Sequence, residues 1–567
     1  MRSDTGTAVD PGLPPPRRSS RDQVLTTTEE SNEPRADRRA WIGLGVLAAG
    51  LSMIVVDGTI VGVALPVIVT DLGLDLTGAQ WVNSAYSVVF AALLLTAGRL
   101  GDRLGRRRVF VAGVLVFLAG SALAAVASTA AGLILARVVQ GVGGAFVLPA
   151  TLSSVNATFR GKDRIVAFAV WGAVISGMAA VGPLLGGSLT TYVGWRWIFL
   201  VNIPIGIAVL VGALLAVRET KAGVGEPGLD VDGLLLSVIG FGGAIFALIE
   251  GQRLGWWRPL GEFGVFGFEW PRHAPVSVVP VIGAIGLGAL ALFVVWERHR
   301  ARRGRSAILD LSLFSVPTFS WGNLTALTVA IGEFGLLLVL PLFLVNAVGL
   351  STMSAGLVLA AMALGAFASG ASARHVAGVL GAPRTVIVGL ALEAVGVTAV
   401  ALCVSPTAST WLLAGVLAVY GAGLGLASAQ LAGTVLADIP PEKSGQGSAT
   451  QSTVRQLGAA LGAAILGAVL SVGLAHDLTD RLDSIQQLPA PAAAGLVTAT
   501  RDSAGGAISG LREQGDKGRF GPQGPAVTAA LSEGFADSTR RSLYVAAGFL
   551  VLGLGSATAL NARSRRP

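Results

Sequence analysis

Long apolar stretches alternate with short polar connections along most of this chain. Fourteen of the stretches run about 20 residues or more, enough for a helix to cross the roughly 30 Å hydrocarbon layer of a bilayer. They fall at 40–64, 79–99, 109–127, 132–157, 165–189, 197–217, 231–250, 274–296, 318–345, 353–373, 384–404, 410–436, 446–474 and 540–561. Trp41, Trp81, Trp195, Trp197, Trp296, Trp321 and Trp411 stand at the ends of these segments, where interfacial anchors belong. The pattern predicts an all-α integral membrane protein.

The polar connections set the orientation. The even-numbered short connections carry eighteen cations, among them Arg99, Arg103, Arg106, Arg107, Arg108, Arg298, Arg300 and Lys443, whereas five short odd-numbered ones carry only Arg196. Lys and Arg stay on the cytoplasmic side, so both termini are expected in the cytoplasm of a cell (plasma) membrane protein. An even span count agrees. Residues 1–39 are polar, with seven arginines against seven acids, and are expected to be a disordered cytoplasmic tail. The connection at 251–273 is aromatic and expected in the headgroup layer. The long outer segment 475–539, rich in Ala, Gly and Pro, is either an amphipathic hairpin or partly disordered.

Composition narrows the classes. Charged residues make up 13% of the 567 residues and mean hydropathy is +0.70; a soluble domain carries about 25% charged residues. The 77 glycines suit close helix packing in lipid. The net charge of +8 reflects topology, not a nucleic-acid partner. Cys403 is the single cysteine, which excludes an internal disulfide framework. No G-x-x-x-x-G-K-[ST] occurs, which argues against ATP as the energy source. Gly223-Val224-Gly225-Glu226-Pro227-Gly228 matches G-x-G-x-x-G but follows no strand, so it is a chance match. The four histidines show no metal spacing, and no nucleophile–base arrangement is present. No cofactor, metal or enzymatic activity is expected.

Two features carry chemistry. Asp57 lies within the first apolar stretch, where a carboxylate is expensive unless it faces a protein-lined cavity or pairs with a cation. The second connection reads Gly98-Arg99-Leu100-Gly101-Asp102-Arg103-Leu104-Gly105-Arg106. Its glycines permit a tight turn, and Asp102 is placed to pair with an arginine or with a helix N-terminus of the opposite half.

With these residues the chain resembles the major facilitator superfamily, whose loop motif this connection matches. Three further motifs resemble its fourteen-helix drug:proton antiporter branch: Asp57-Gly58-Thr59-Ile60-Val61-Gly62-Val63-Ala64-Leu65-Pro66, with Gly62 where Asn is usual; Ala136-Arg137-Val138-Val139-Gln140-Gly141-Val142-Gly143-Gly144-Ala145; and Gly182-Pro183-Leu184-Leu185-Gly186-Gly187. Trp195 to Gly206 also matches that branch. The second-half counterpart of the loop keeps Arg374, Gly378, Gly381 and Arg384 but no acid. The resemblance implies two six-helix pseudo-symmetric bundles plus two inserted helices: residues 40–217, a linker 218–310 holding two extra spans, and 311–567 with the outer loop 475–539.

Equal depth of Asp57 and Arg137 permits an ion pair across the cavity, and moving Arg137 or admitting substrate would then change proton binding at Asp57. Gly182-Pro183 permits a bend, and Gly186 and Gly187 are expected to pack the fifth helix on the second half, sealing the cavity. Glu333, near mid-membrane, either attracts a cationic substrate, carries a second proton, or is a paired structural acid. Arg455 is its partner or a tie between helices. Glu393 and Gln451 are further buried polar candidates. Glu250 is expected to be solvated, and Asp232 to cap the seventh span. The expected activity is proton-driven export of lipophilic or cationic drugs by alternating access, by a monomer in membrane lipid; a dedicated exporter of one natural product is the alternative, and a proton-coupled nutrient importer a third.

Overall fold

Lipid offers no partners for backbone N–H and C=O groups, so an apolar stretch that crosses it closes as a helix. The computed structural model describes residues 36–221, 230–265, 268–305, 307–440, 443–483, 485 and 488–563. Six helices form the first half: α1 (Arg38–Leu72), α2 (Leu76–Leu104), α3 (Arg106–Ala125), α4 (Ala130–Thr158), α5 (Gly161–Tyr192) and α6 (Trp197–Ala216). Two inserted helices follow, α7 (Val231–Leu254) and α8 (Val278–Arg302). The second half holds α9 (Pro317–Leu342), α10 (Thr352–Leu380), α11 (Ala382–Cys403), α12 (Thr410–Leu436) and α13 (Ser444–Asp483). Two short helices, α14 (Ala490–Asp502) and α15 (Gly506–Gln514), precede the last span, α16 (Gly524–Arg563). Thirteen helices are long and apolar enough to cross a bilayer among the residues searched, and α5 completes fourteen.

Polar residues at the boundaries set where helices begin. Asp37, Asp75, Thr129 and Ser351 accept from backbone N–H groups of the first turns of α1, α2, α4 and α10. At α7 the cap is Asp230, which accepts from Gly233 N at 2.9 Å. The expected cap, Asp232, instead sits in the first turn, because the helix starts two residues earlier than a cap at Asp232 requires.

The halves repeat one another in packing detail. Gly113 and Gly120 of α3 lie against Gly143 and Gln140 of α4; Gly389 and Gly396 of α11 lie against Gly423 and Tyr420 of α12 at the same spacing. Gly141 faces the Tyr86 carbonyl of α2, and Gly421 the Met362 carbonyl of α10. Gly105 (φ 114°) and Gly381 (φ 83°) make the equivalent turns into α3 and α11, a left-handed geometry that favours glycine.

The halves meet along α5 and α10, along α2 and α13, and where α1 crosses α9. Helix α7 packs against α8 and also against α2 and α13, with Ile245 and Ile249 touching Val88, Ala460 and Ala464. The inserted pair therefore docks on a seam between the halves. Fourteen crossings bring both termini to one end. At the far end one apolar core spans both halves, from Ile60, Val63 and Leu76 to Leu336, Val339 and Leu470. At the terminal end the first half has a core of its own, built around Leu44, Phe110, Val147 and Phe159. The first-half members of the shared core lie toward the far end, and the terminal-end core of the first half holds no second-half residue among the described residues.

One boundary changes and two connections take shape. The tail was placed at 1–39, but Asp37 already caps α1 and binds Arg218 at 2.6 Å, and Ala36 N donates to Asp163; residues 1–35 lie outside the described residues, as does the Gly223–Gly228 match. The aromatic connection holds a two-stranded hairpin, Phe263–Val265 with Phe268–Trp270. The segment 475–539 is largely helical: α13 and α16 run past the bilayer and α14 and α15 fold against them. Arg512 of α15 donates to the Asn346 and Ala347 carbonyls (3.1 and 2.6 Å), and Asn346 Nδ2 donates to Ala504 O (3.0 Å), which fixes this cap to the end of α9. Burial there lowers the proton affinity of the Arg512 guanidinium.

Candidate functional site

Asp57 lies midway along α1 and is 0% exposed. Its Oδ2 accepts from Arg137 Nη1 at 2.5 Å. Its Oδ1 accepts from Gln140 Nε2 at 2.9 Å and Asn202 Nδ2 at 3.1 Å. Arg137 is 1% exposed; it donates further to Val82 O (3.2 Å) and Gln140 Oε1 (2.8 Å), and its guanidinium stacks 4.3 Å from the Tyr86 ring centroid. Ser121 Oγ accepts from both Gln140 (2.9 Å) and Asn202 (3.2 Å). Five helices, α1 to α4 and α6, thus converge on one carboxylate.

A buried ion pair persists only when its remaining lone pairs and protons are also satisfied, and this one is satisfied by an arginine, two amides, a hydroxyl and a carbonyl. The Tyr86 hydroxyl is buried without a hydrogen-bond partner among the described residues. The expected Asp57–Arg137 pair is present inside the first half, with Ser121 of α3 and Asn202 of α6 beside it. Gln140 and Asn202 stand inside motifs recognised in the sequence, and the i, i+3 spacing of Arg137 and Gln140 puts them on one face. Nothing in the sequence marks Ser121 or the Val82 carbonyl.

The glycine-rich loop is tied to its own half. Asp102 Oδ1 accepts from Arg106 at 2.9 Å, and Arg106 Nη1 donates to Ser153 O of α4 at 3.1 Å. Gly105 leaves no room for a Cβ against the Glu219 carboxylate, and Arg106 N donates to Thr220 O at 3.0 Å. Gly98 backs onto Pro149, and Gly101 onto Arg106. Arg103 is exposed. Of the two partners open to Asp102, the arginine is the one present here, and it comes from the same half.

On α5, Gly182 is pressed against Thr59 and Gly186 against the Ile60 carbonyl of α1. Gly187 faces Thr352 O and Gly356 of α10, and Gly356 faces Pro183 O. Gly186 was expected against the second half; it packs on α1 because it lies one residue round the helix from Gly187. Gly62 faces the Leu337 carbonyl of α9, where an added Cβ would stand 3.2 Å away. This close crossing accounts for glycine where the family pattern has Asn.

In the second half, Arg455 of α13 reaches Glu333 of α9, Nη2 to Oε2 at 3.2 Å. The Arg455 side chain is 44% exposed and that of Glu333 is 11% exposed, so this pair borders an opening, in contrast to the sealed pair of the first half. Glu393 of α11 is 0% exposed, and neither carboxylate oxygen has a hydrogen-bond partner among the described residues. Gln451, on α13 one turn before Arg455, is half-buried. Glu250, expected in solvent, is buried; it accepts from Trp81 Nε1 (2.9 Å) and pairs with Arg253 (2.7 Å), which ties α7 to α2. At the far end Asp71 accepts from both Trp195 (2.9 Å) and Arg196 (3.1 Å).

Two pseudo-symmetric helix bundles with a buried carboxylate–arginine pair at bilayer depth define a multi-pass membrane transporter. The chain belongs to the major facilitator superfamily, whose model matches residues 46–463; it is a transporter and not an enzyme. It is 34% identical over 459 residues to the probable actinorhodin transporter of Streptomyces coelicolor, covering 78% of this chain and 75% of that protein. It is 32% identical over 448 residues to the multidrug resistance protein Stp of Mycobacterium tuberculosis, covering 79% of each. A crystal structure of a bacterial homologue of the human lysosomal transporter Spinster, inward-facing and unoccupied, shares the fold with a TM-score of 0.58 at 18% identity, over 92% of this chain and 98% of that one.

Proposed function

We propose that this chain is a proton-driven antiporter that exports lipophilic or cationic compounds from the cytoplasm across the cell membrane. The observation that carries the reading is the sealed Asp57–Arg137 pair with its amide and hydroxyl partners. A proton on Asp57 removes the charge that holds Arg137, Gln140 and Asn202 together, so protonation and the packing of α1 on α3, α4 and α6 are linked. The halves 40–217 and 311–567 rock about their seams, with 218–310 riding on them. The charge rule puts the terminal end, and both termini, in the cytoplasm. There substrate enters, and the Glu333 carboxylate beside the opening favours cations. One charge crossing about 100 mV supplies about 2.3 kcal/mol, roughly a fifty-fold gradient per proton. The monomer holds every group named here.

The relatives support export: one is named a multidrug resistance protein, and others an actinorhodin transporter and a puromycin resistance protein. The last two names favour a second reading, export of one natural product, within the same mechanism. The test is ethidium efflux from cells and proton-gradient-driven uptake into inverted vesicles. Asp57→Asn, which keeps an acceptor for Gln140 and Asn202 but leaves Arg137 without its anion, is compared at equal amounts of folded protein and is expected to lose gradient-driven transport at least tenfold. Full active efflux in that variant would defeat the proton role of Asp57.

A further inference from the structure

The internal repeat exposes a residue that packing does not require. Gly143 meets the backbone N of Phe117, and its second-half counterpart Gly423 meets the backbone N of Glu393. Glu393 therefore occupies in α11 the place that Phe117 holds in α3. Phe117 is fully buried, so an apolar side chain fills that site in one half and a carboxyl group in the other. Glu393 is equally buried, and neither of its oxygens finds a donor. The Tyr420 hydroxyl of α12, also buried, is likewise without a partner among the described residues. Glu333 and Arg455 lie within electrostatic reach of both.

A carboxylate anion with no donor in a dry site is prohibitively unfavourable, and the group takes a proton instead. Exposure then rises in steps from Glu393 (0%) to Glu333 (11%) to Arg455 (44%). We infer that Glu393 is a second proton-binding site, held as the neutral acid in this conformation and emptied through Glu333 when Arg455 changes partner. In the transfer the O–H bond of Glu393 breaks and one forms on Glu333, while Arg455 leaves the Glu333 carboxylate for the new one on Glu393. Net charge within the cluster does not change, which lets the step proceed in a site of low polarity. Glu333, at the opening, then gives the proton to water. A cation entering there competes with Arg455 for Glu333 and so drives the exchange.

The proposal rests on the antiport reading but has readouts of its own. Infrared spectra of the purified protein at neutral pH are expected to show the carbonyl stretch of a protonated acid, missing from Glu393→Gln and Glu393→Leu and kept in Glu333→Gln. The leucine variant guards against misfolding, since Phe117 shows that an apolar side chain fits the site. Ethidium added to weakly buffered protein should release one proton fewer per bound ethidium from Glu393→Gln than from wild type, and should abolish the wild-type band. A wild type with no such band at neutral pH overturns the proposal. So does a band that ethidium leaves unchanged, with equal release from wild type and variant, which would make Glu393 a permanently neutral structural acid. Failure of the antiport reading looks different: transport indifferent to the proton gradient and to Asp57→Asn, with the Glu393 band still measurable.

Discussion

Arg137 satisfies three acceptors at once, Asp57, Gln140 and the Val82 carbonyl, and removing it strands a charge with 0% exposure. Loss of one partner from a buried ion pair costs about 3–5 kcal/mol. Arg137→Ala is therefore expected to be destabilised by about that amount in denaturant unfolding followed by tryptophan fluorescence. Adding Asp57→Asn to it should recover most of the loss, because the stranded charge goes with it. Arg137→Lys should not restore the parent stability, since one ammonium lacks the planar fork that serves separate acceptors. A single Arg137→Ala as stable as the parent would show that Asp57 is not held by this contact. Asp57 and Arg137 were legible in the sequence because charges are rare in apolar stretches. Gln140 and Asn202 stood inside recognised motifs, but their aim at one carboxylate was not legible, and Ser121 is an ordinary polar residue in an apolar run that only helix rotation brings to the site. Glu393 was legible as a buried acid, but its lack of any partner was not.

Helices were legible wherever an apolar run was bounded by a capping residue, as at α2, whose run begins just after Asp75, or at α10, whose run begins just after Ser351. Ends were missed where helices leave the bilayer, because α13 and α16 continue into polar sequence that hydropathy cannot separate from loop. The seams were half legible. Gly186 and Gly187 read alike along the chain, yet one faces α1 and the other α10. Gly187→Leu is expected to wedge the α5–α10 seam open at the far end, since even a Cβ would stand 3.1 Å from Thr352 O. The readout is a disulfide across the α2–α13 seam, Gln80→Cys with Gly467→Cys in a Cys403→Ala background. Its yield should fall severalfold when Gly187→Leu is added, and efflux should fall with it. Gly45→Leu, at a position with open space around it, serves as the control. Unchanged crosslinking in the Gly187 variant would mean that this contact does not hold the seam.

At the scale of the whole molecule, the described first-half residues that share a core with the second half lie toward the far end, and the helical cap is fastened chiefly to the second half. Arg512 and Asn346 bind it to α9, Arg540 of α16 donates to the Ala401 and Val404 carbonyls of α11, and Arg481 of α13 pairs with Asp537 of α16 at 2.7 Å. Toward the first half, α15 meets α1 where Gly506 approaches Thr70. If the halves part at the far end during transport, the cap must travel with the second half and slide off α1. Thr70→Cys with Gly506→Cys, in a Cys403→Ala background, brings two thiols within the reach of a disulfide without a positive φ at either site. Oxidation should stop efflux and reductant should restore it, whereas either single cysteine should transport in both conditions. Continued efflux by a fully crosslinked double variant would show that the far-end opening does not separate the cap from α1, and that the rocking motion has its axis elsewhere.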